Sequence, residues 1–134
     1  DRVLEQALSA VRLSPLLEKL EHGLDTQIGE RGVMLSGGER QRLALARLWF
    51  RQADLVILDE AFSAMDSLTE AQVLRAVMER LQDKTVLVVA HRLRTARDFD
   101  QIVVFRDGCV VGRGAFDHLL RENPYFRSLY QLAY

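Results

Sequence analysis

Two short apolar runs constrain this chain most. Leu55-Val56-Ile57-Leu58 ends at Asp59-Glu60, and Val86-Leu87-Val88-Val89-Ala90 ends at His91. Each has the length of a strand and no polar alternation, the pattern of a strand buried on both faces of a parallel sheet. Between them Ser67 is placed to cap a helix over about residues 68–82. A strand–helix–strand unit of this kind closes as a right-handed parallel crossover. The residues just after each strand then emerge at the carboxyl end of the sheet, where open α/β sheets bind ligands. Asp59, Glu60 and His91 are therefore the first candidate site residues. Asp59 offers a hard carboxylate oxygen at that end, and its plainer reading is a cap for the next turn. Glu60 adds a second carboxylate pointing differently from Asp59, and His91 an imidazole able to donate a hydrogen bond.

A second motif precedes them, Leu35-Ser36-Gly37-Gly38-Glu39-Arg40-Gln41. Ser36 caps a helix over about residues 38–51, with Leu43, Leu45, Ala46 and Leu48 on its buried side and Trp49 and Phe50 against the sheet. A helix opened by Ser36, Gly37 and Gly38 presents free N–H groups and a positive dipole end, both suited to a phosphate. The glycines permit close backbone approach.

The two motifs and His91, in this order, resemble the signature motif, the Walker B motif and the switch histidine of ATP-binding cassette (ABC) ATPases. Ser63-Ala64-Met65-Asp66 is similar to the family's D-loop, with methionine where leucine is usual; Asp66 also reads as a plain turn residue. The segment Thr26-Gln27-Ile28-Gly29-Glu30-Arg31-Gly32 is similar to the pre-signature segment of exporter-type members, although its residue types alone read as a solvated loop. No Gly-x-x-x-x-Gly-Lys-Ser/Thr occurs, so the loop that cradles phosphates is not among these residues.

The resemblance implies an α/β fold: the carboxyl-terminal part of a P-loop NTPase-like ABC core, with parallel strands, a crossover helix and a terminal hairpin. A helical subdomain over residues 1–50 precedes the core part, residues 51–134. It implies ATP and Mg2+ as cofactors, Glu60 and His91 as catalytic residues, and Asp59 on the metal through water. It also implies that Ser36, Gly37, Gly38, Glu39 and Asp66 contact nucleotide, the signature residues doing so across a head-to-tail dimer. The partners implied are a second nucleotide-binding domain, transmembrane domains touched by residues 26–32, and an amino-terminal half carrying the Walker A loop. The location implied is the cytoplasmic face of a membrane, and the chain alone is expected to be inactive. The competing reading is a non-catalytic module that completes or regulates a partner's ATP site in trans.

Composition narrows the remaining classes. The chain has 134 residues, enough for one modest core, and a net charge of -1 with no basic patch, which argues against a nucleic-acid partner. One cysteine, Cys109, allows no internal disulfide and is expected to pack in a strand. The longest apolar runs fall far short of the roughly 20 residues that span a bilayer, and no signal-peptide pattern opens the chain.

The flanks carry ordinary signals. Residues 1–23 read as helical, with Val3, Leu4, Ala7, Leu8 and Val11 in a stripe, Ser14-Pro15 as a restart capped by Ser14, and Gly23 as a left-handed stop. His22 reads as a helix-end residue. Strands are expected at 85–90, 101–105 and 109–112, with Asp107-Gly108 as the hairpin turn between the last two. Helices are expected at 116–120 and 124–132, broken at Asn123-Pro124. His118 carries no assigned role.

Overall fold

The computed structural model describes residues 2–90 and 92–133, the side chain of Arg94 excepted. It divides into two compact units, residues 1–89 and 90–134.

In the first unit, helix α1 (Arg2–Ala10) buries Ala7 and Leu8, and Val11 is fully buried just beyond it. Arg12 then takes a left-handed φ of 60°, which ends the helix and offsets the next one, α2 (Ser14–Leu17). Leu13, not Ser14, is the cap residue of α2; no side chain accepts a bond there, and Pro15 holds the first turn. Gly23 is left-handed as expected, at φ 50°, yet it opens a short 3-10 turn (Gly23–Asp25) and does not close a helix.

Residues 26–34 are more ordered than a solvated loop. Ile28 and Val33 form a bridge, and the Val33 N–H donates to the Gln27 carbonyl at 2.9 Å. Helix α3 (Gly37–Ala46) comes next, then a 3-10 turn over Arg47–Phe50. Phe50 is 55% exposed, so it does not pack on the sheet as expected.

Strand β1 (Leu55–Asp59), helix α4 (Ser67–Arg80) and strand β2 (Thr85–Val89) form the crossover unit. The strands are parallel, with Leu55 opposite Thr85 and Asp59 opposite Val89. Neither strand is buried on both faces. Val56 and Leu58 are buried, whereas Leu55, Ile57, Leu87 and Val89 are exposed on the opposite face. Apolar continuity announced two covered faces, but the residues present cover one. Asp66, and not Ser67, caps α4: its carboxylate accepts the N–H groups of Leu68 and Thr69 at 3.1 and 2.9 Å.

In the second unit, a 3-10 segment (Leu93–Asp98) precedes the antiparallel pair β3 (Ile102–Arg106) and β4 (Cys109–Gly114). Asp107 and Gly108 at φ 50° and 78° make the hairpin turn that the sequence announces. Cys109 stands exposed at the start of β4. Helices α5 (Phe116–Glu122) and α6 (Pro124–Leu132) supply Phe116, Leu119 and Phe126 to a core shared with Ala96 and Val104. Asn123 joins these elements: its Oδ1 accepts the Phe126 N–H, and its Nδ2 donates to the Val111 carbonyl at 2.8 Å. A side chain at position 112 would collide with that amide, which accounts for Gly112.

Candidate nucleotide site

The site is built on the start of α3. Ser36 is extended (φ -63°, ψ 164°), and its Oγ accepts the Glu39 N–H at 3.2 Å. Glu39 Oε2 in turn accepts the Ser36 N–H at 2.7 Å, which completes a capping box. Hydrogen bonding from Ser36, by its backbone N–H first and its hydroxyl second, holds the Glu39 carboxyl below its ordinary value. In a helix the first-turn N–H groups of Gly37 and Gly38 have no intrahelical acceptor. They remain available to an anion at the positive end of the dipole.

The turn after β1 packs directly on this helix start. A Cβ on Gly38 would lie 2.8 Å from the Ala64 carbonyl oxygen, and one on Gly37 would lie 3.3 Å from the Ala64 Cβ. The glycines therefore serve packing inside the chain as well as backbone exposure. Together the two segments line a cleft of about 290 Å³, with Ser36, Gly37, Gly38 and Arg42 on the α3 side and Ala64, Met65, Asp66 and Thr69 opposite. Arg42 is anchored, its Nη1 donating to the Arg12 carbonyl at 2.6 Å. Asp66 is committed to its cap: Thr69 Oγ1 donates to its Oδ2 at 2.6 Å. The Thr69 hydroxyl and N–H together keep the Asp66 carboxyl below its ordinary value.

Asp59 ends β1 and Glu60 turns sharply out of it, at a left-handed φ of 49°; both residues are exposed. The register brings the last residue of β2, Val89, opposite Asp59. The structure thus joins six of the eight candidate residues, Ser36, Gly37, Gly38, Glu39, Glu60 and Asp66, through the α3–turn contact. Asp59 adjoins them by sequence. His91 lies outside the described residues.

The last residue of the Leu35–Gln41 motif, Gln41, carries a role that the sequence reading does not assign. Gln41 Nε2 donates to the Glu60 carbonyl at 2.9 Å and to Ser63 Oγ at 2.8 Å, while its Oε1 accepts the Ala64 N–H at 2.9 Å. The available cue is helical spacing, since Gln41 lies four residues after Gly37 and three after Gly38, on their face.

A metal fits this donor set as a water-rich ion. Among the described residues no group of three or more His, Cys, Asp or Glu side chains could hold one. Asp59 alone at the strand end suits magnesium, which is bound through one or two carboxylates, several waters and substrate phosphate oxygens.

A parallel β–α–β unit with Asp-Glu at the first strand's end, and a serine-capped, glycine-led helix packed on the following turn, define a nucleotide-binding domain of the ABC class. The family model described as ABC transporter matches residues 2–63. The ATP-dependent lipid A-core flippase of Pectobacterium atrosepticum is 44% identical over 131 residues, 98% of this chain and 22% of that protein. The flippase of the same name from Vibrio vulnificus is 43% identical over the same shares. The solved structure of a bacterial Atm1-family ABC exporter with ATP bound superposes with a TM-score of 0.89 at 32% identity, covering 98% of this chain and 23% of that one. The chain is part of an exporter-type nucleotide-binding domain of the ABC transporters, and it spans about a fifth of the length of the curated relatives it matches.

Proposed function

We propose that this segment supplies the signature helix, the Asp59-Glu60 turn and the switch histidine of a domain that couples ATP binding and hydrolysis to transmembrane export. The observation that carries the reading is the packing of the glycine-led start of α3 on the turn just after Glu60. It joins an anion-binding helix end to a carboxylate able to act on water.

In this reading Glu60 orients and polarises the water that attacks the terminal phosphate, a positioning role suited to phosphoryl transfer. Asp59 holds Mg2+ through water; the ion when bound neutralises charge on the phosphate oxygens. His91 donates a hydrogen bond to the terminal phosphate, a role that rests on its motif. Gly37 and Gly38 N–H groups and the Ser36 hydroxyl meet the ATP of a second domain in a head-to-tail dimer, with Glu39 fixing Ser36 from behind. Asp66 shapes the turn between the two sites. Residues 26–32 face the transmembrane domains at the cytoplasmic side of the membrane. Among the described residues no helix is long and apolar enough to cross a membrane. The relatives named lipid A-core flippases suggest an amphipathic lipid as the class of cargo.

Phosphate release from Mg-ATP by the full-length protein tests the reading. Glu60→Gln is expected to lower turnover by about 100-fold or more while ATP binding persists. Unchanged turnover in that variant removes Glu60 from its role. The isolated chain is expected to release no phosphate.

A further inference from the structure

Glu60 is a non-glycine residue at φ 49°, a conformation that persists only where the surroundings enforce it. Its carbonyl is held by three donors: Gln41 Nε2 at 2.9 Å, Ser63 Oγ at 3.1 Å and the Ser63 N–H at 3.3 Å. Gln41 also grips the far end of the same turn, through the bond from the Ala64 N–H to its Oε1 at 2.9 Å. One carboxamide therefore spans the turn over residues 60–64. The amide orientation is set by the partners, because the reverse would place its oxygen against the Glu60 carbonyl and its NH2 against the Ala64 N–H.

We propose that Gln41 is the positioning residue for the carboxylate of Glu60. The direction of a Cα–Cβ bond is set by the backbone, so relaxing φ from the left-handed to the ordinary region would swing Glu60 away from its aim. Glutamine suits the task by residue type. It alone carries a donor and an acceptor side by side at this reach: asparagine is one methylene shorter, and glutamate lacks the donor. The inference rests on the reading of Glu60 as the catalytic carboxylate.

The test is steady-state hydrolysis and nucleotide binding by the full-length protein, in native form and as Gln41→Glu, Gln41→Met and Glu60→Gln. Gln41→Glu keeps the acceptor for Ala64 and loses the donor shared by the Glu60 carbonyl and Ser63 Oγ. It is expected to lower kcat by about 10- to 100-fold, the effect of a displaced reacting group. KM and nucleotide affinity should stay within about twofold, because ground-state binding is untouched. Combining Gln41→Glu with Glu60→Gln should cost no more than Glu60→Gln alone, since both changes remove the same contribution. Gln41→Met, similar in length without polar atoms, is read the same way should the charged variant not fold. If turnover falls in Glu60→Gln but not in the Gln41 variants, the positioning role is wrong and the function stands. A parallel fall in kcat, nucleotide affinity and thermal midpoint also overturns it, because that is the mark of a structural role. Turnover that survives Glu60→Gln rejects the underlying reading itself.

Discussion

Gly38 and Ala64 touch so closely that a Cβ on the glycine would lie 2.8 Å from the alanine's carbonyl oxygen. Two opposing effects decide what Gly38→Ala does. Helix propensity favours alanine by about 1 kcal/mol. Overpacking against backbone costs about 1–3 kcal/mol. Retreat of Ala64 is resisted by the bond from its N–H to Gln41. The clash is expected to win, with a net loss of about 1 kcal/mol in urea unfolding. At Gly37 the nearest atom is the Ala64 methyl at 3.3 Å, which yields more easily. Gly37→Ala should therefore stay within about 0.5 kcal/mol of the native chain. Equal losses at the two positions would contradict this packing.

Ser36 holds α3 at its start through both halves of a capping box. Ser36→Ala is expected to cost about 1 kcal/mol in urea unfolding, and Ser36→Asn much less, because asparagine also caps. Glu39→Gln should cost less than Ser36→Ala, since a glutamine at this position still accepts the Ser36 N–H.

Acid should weaken the fold through two carboxyls. Glu39 and Asp66 lie below their ordinary values of 4.5 and 3.8 because each accepts hydrogen bonds in the folded chain. A depressed folded-state value means that the unfolded chain takes up protons first. The stabilisation is complete above the ordinary values and is lost as pH falls through the depressed ones. The urea midpoint is therefore expected to drop on going from about pH 5 to about pH 3. The drop should be shallower in Glu39→Gln and in Asp66→Asn, each of which removes one titrating carboxyl. An identical slope in all three proteins would rule out these carboxyls as its source.

Phe126 anchors the second unit at 1% exposure, edge-on to Phe116 with ring centroids 5.5 Å apart. Phe126→Ala is expected to cost about 3–5 kcal/mol, transfer and cavity terms together. Leu132→Ala, at a side chain 85% exposed on the same helix, should stay within about 0.5 kcal/mol. Thermal unfolding of the two variants measures the contrast.

The class of protein was legible in the residues alone. The order of Leu35–Gln41, Asp59-Glu60 and the second apolar run, with Asp107-Gly108 and Asn123-Pro124, was enough for the α/β fold, the parallel pairing, the hairpin and the helix starting at Pro124. These signals are legible because each works over a few neighbours: a cap over three residues, a turn over two, a strand over five. Other features depend on the folded path of the chain. Asp66 outcompeted Ser67 for the cap because its carboxylate reaches two N–H groups and a threonine hydroxyl at once. Leu55 and Ile57 stand exposed because what covers a strand depends on where other segments run, which hydropathy does not encode. The Gln41–Glu60 bond joins residues 19 apart, and Gly38 answers to a carbonyl on that same distant turn. Contacts of that range exist only once the chain path brings α3 against the end of β1, so no local pattern of residues announces them.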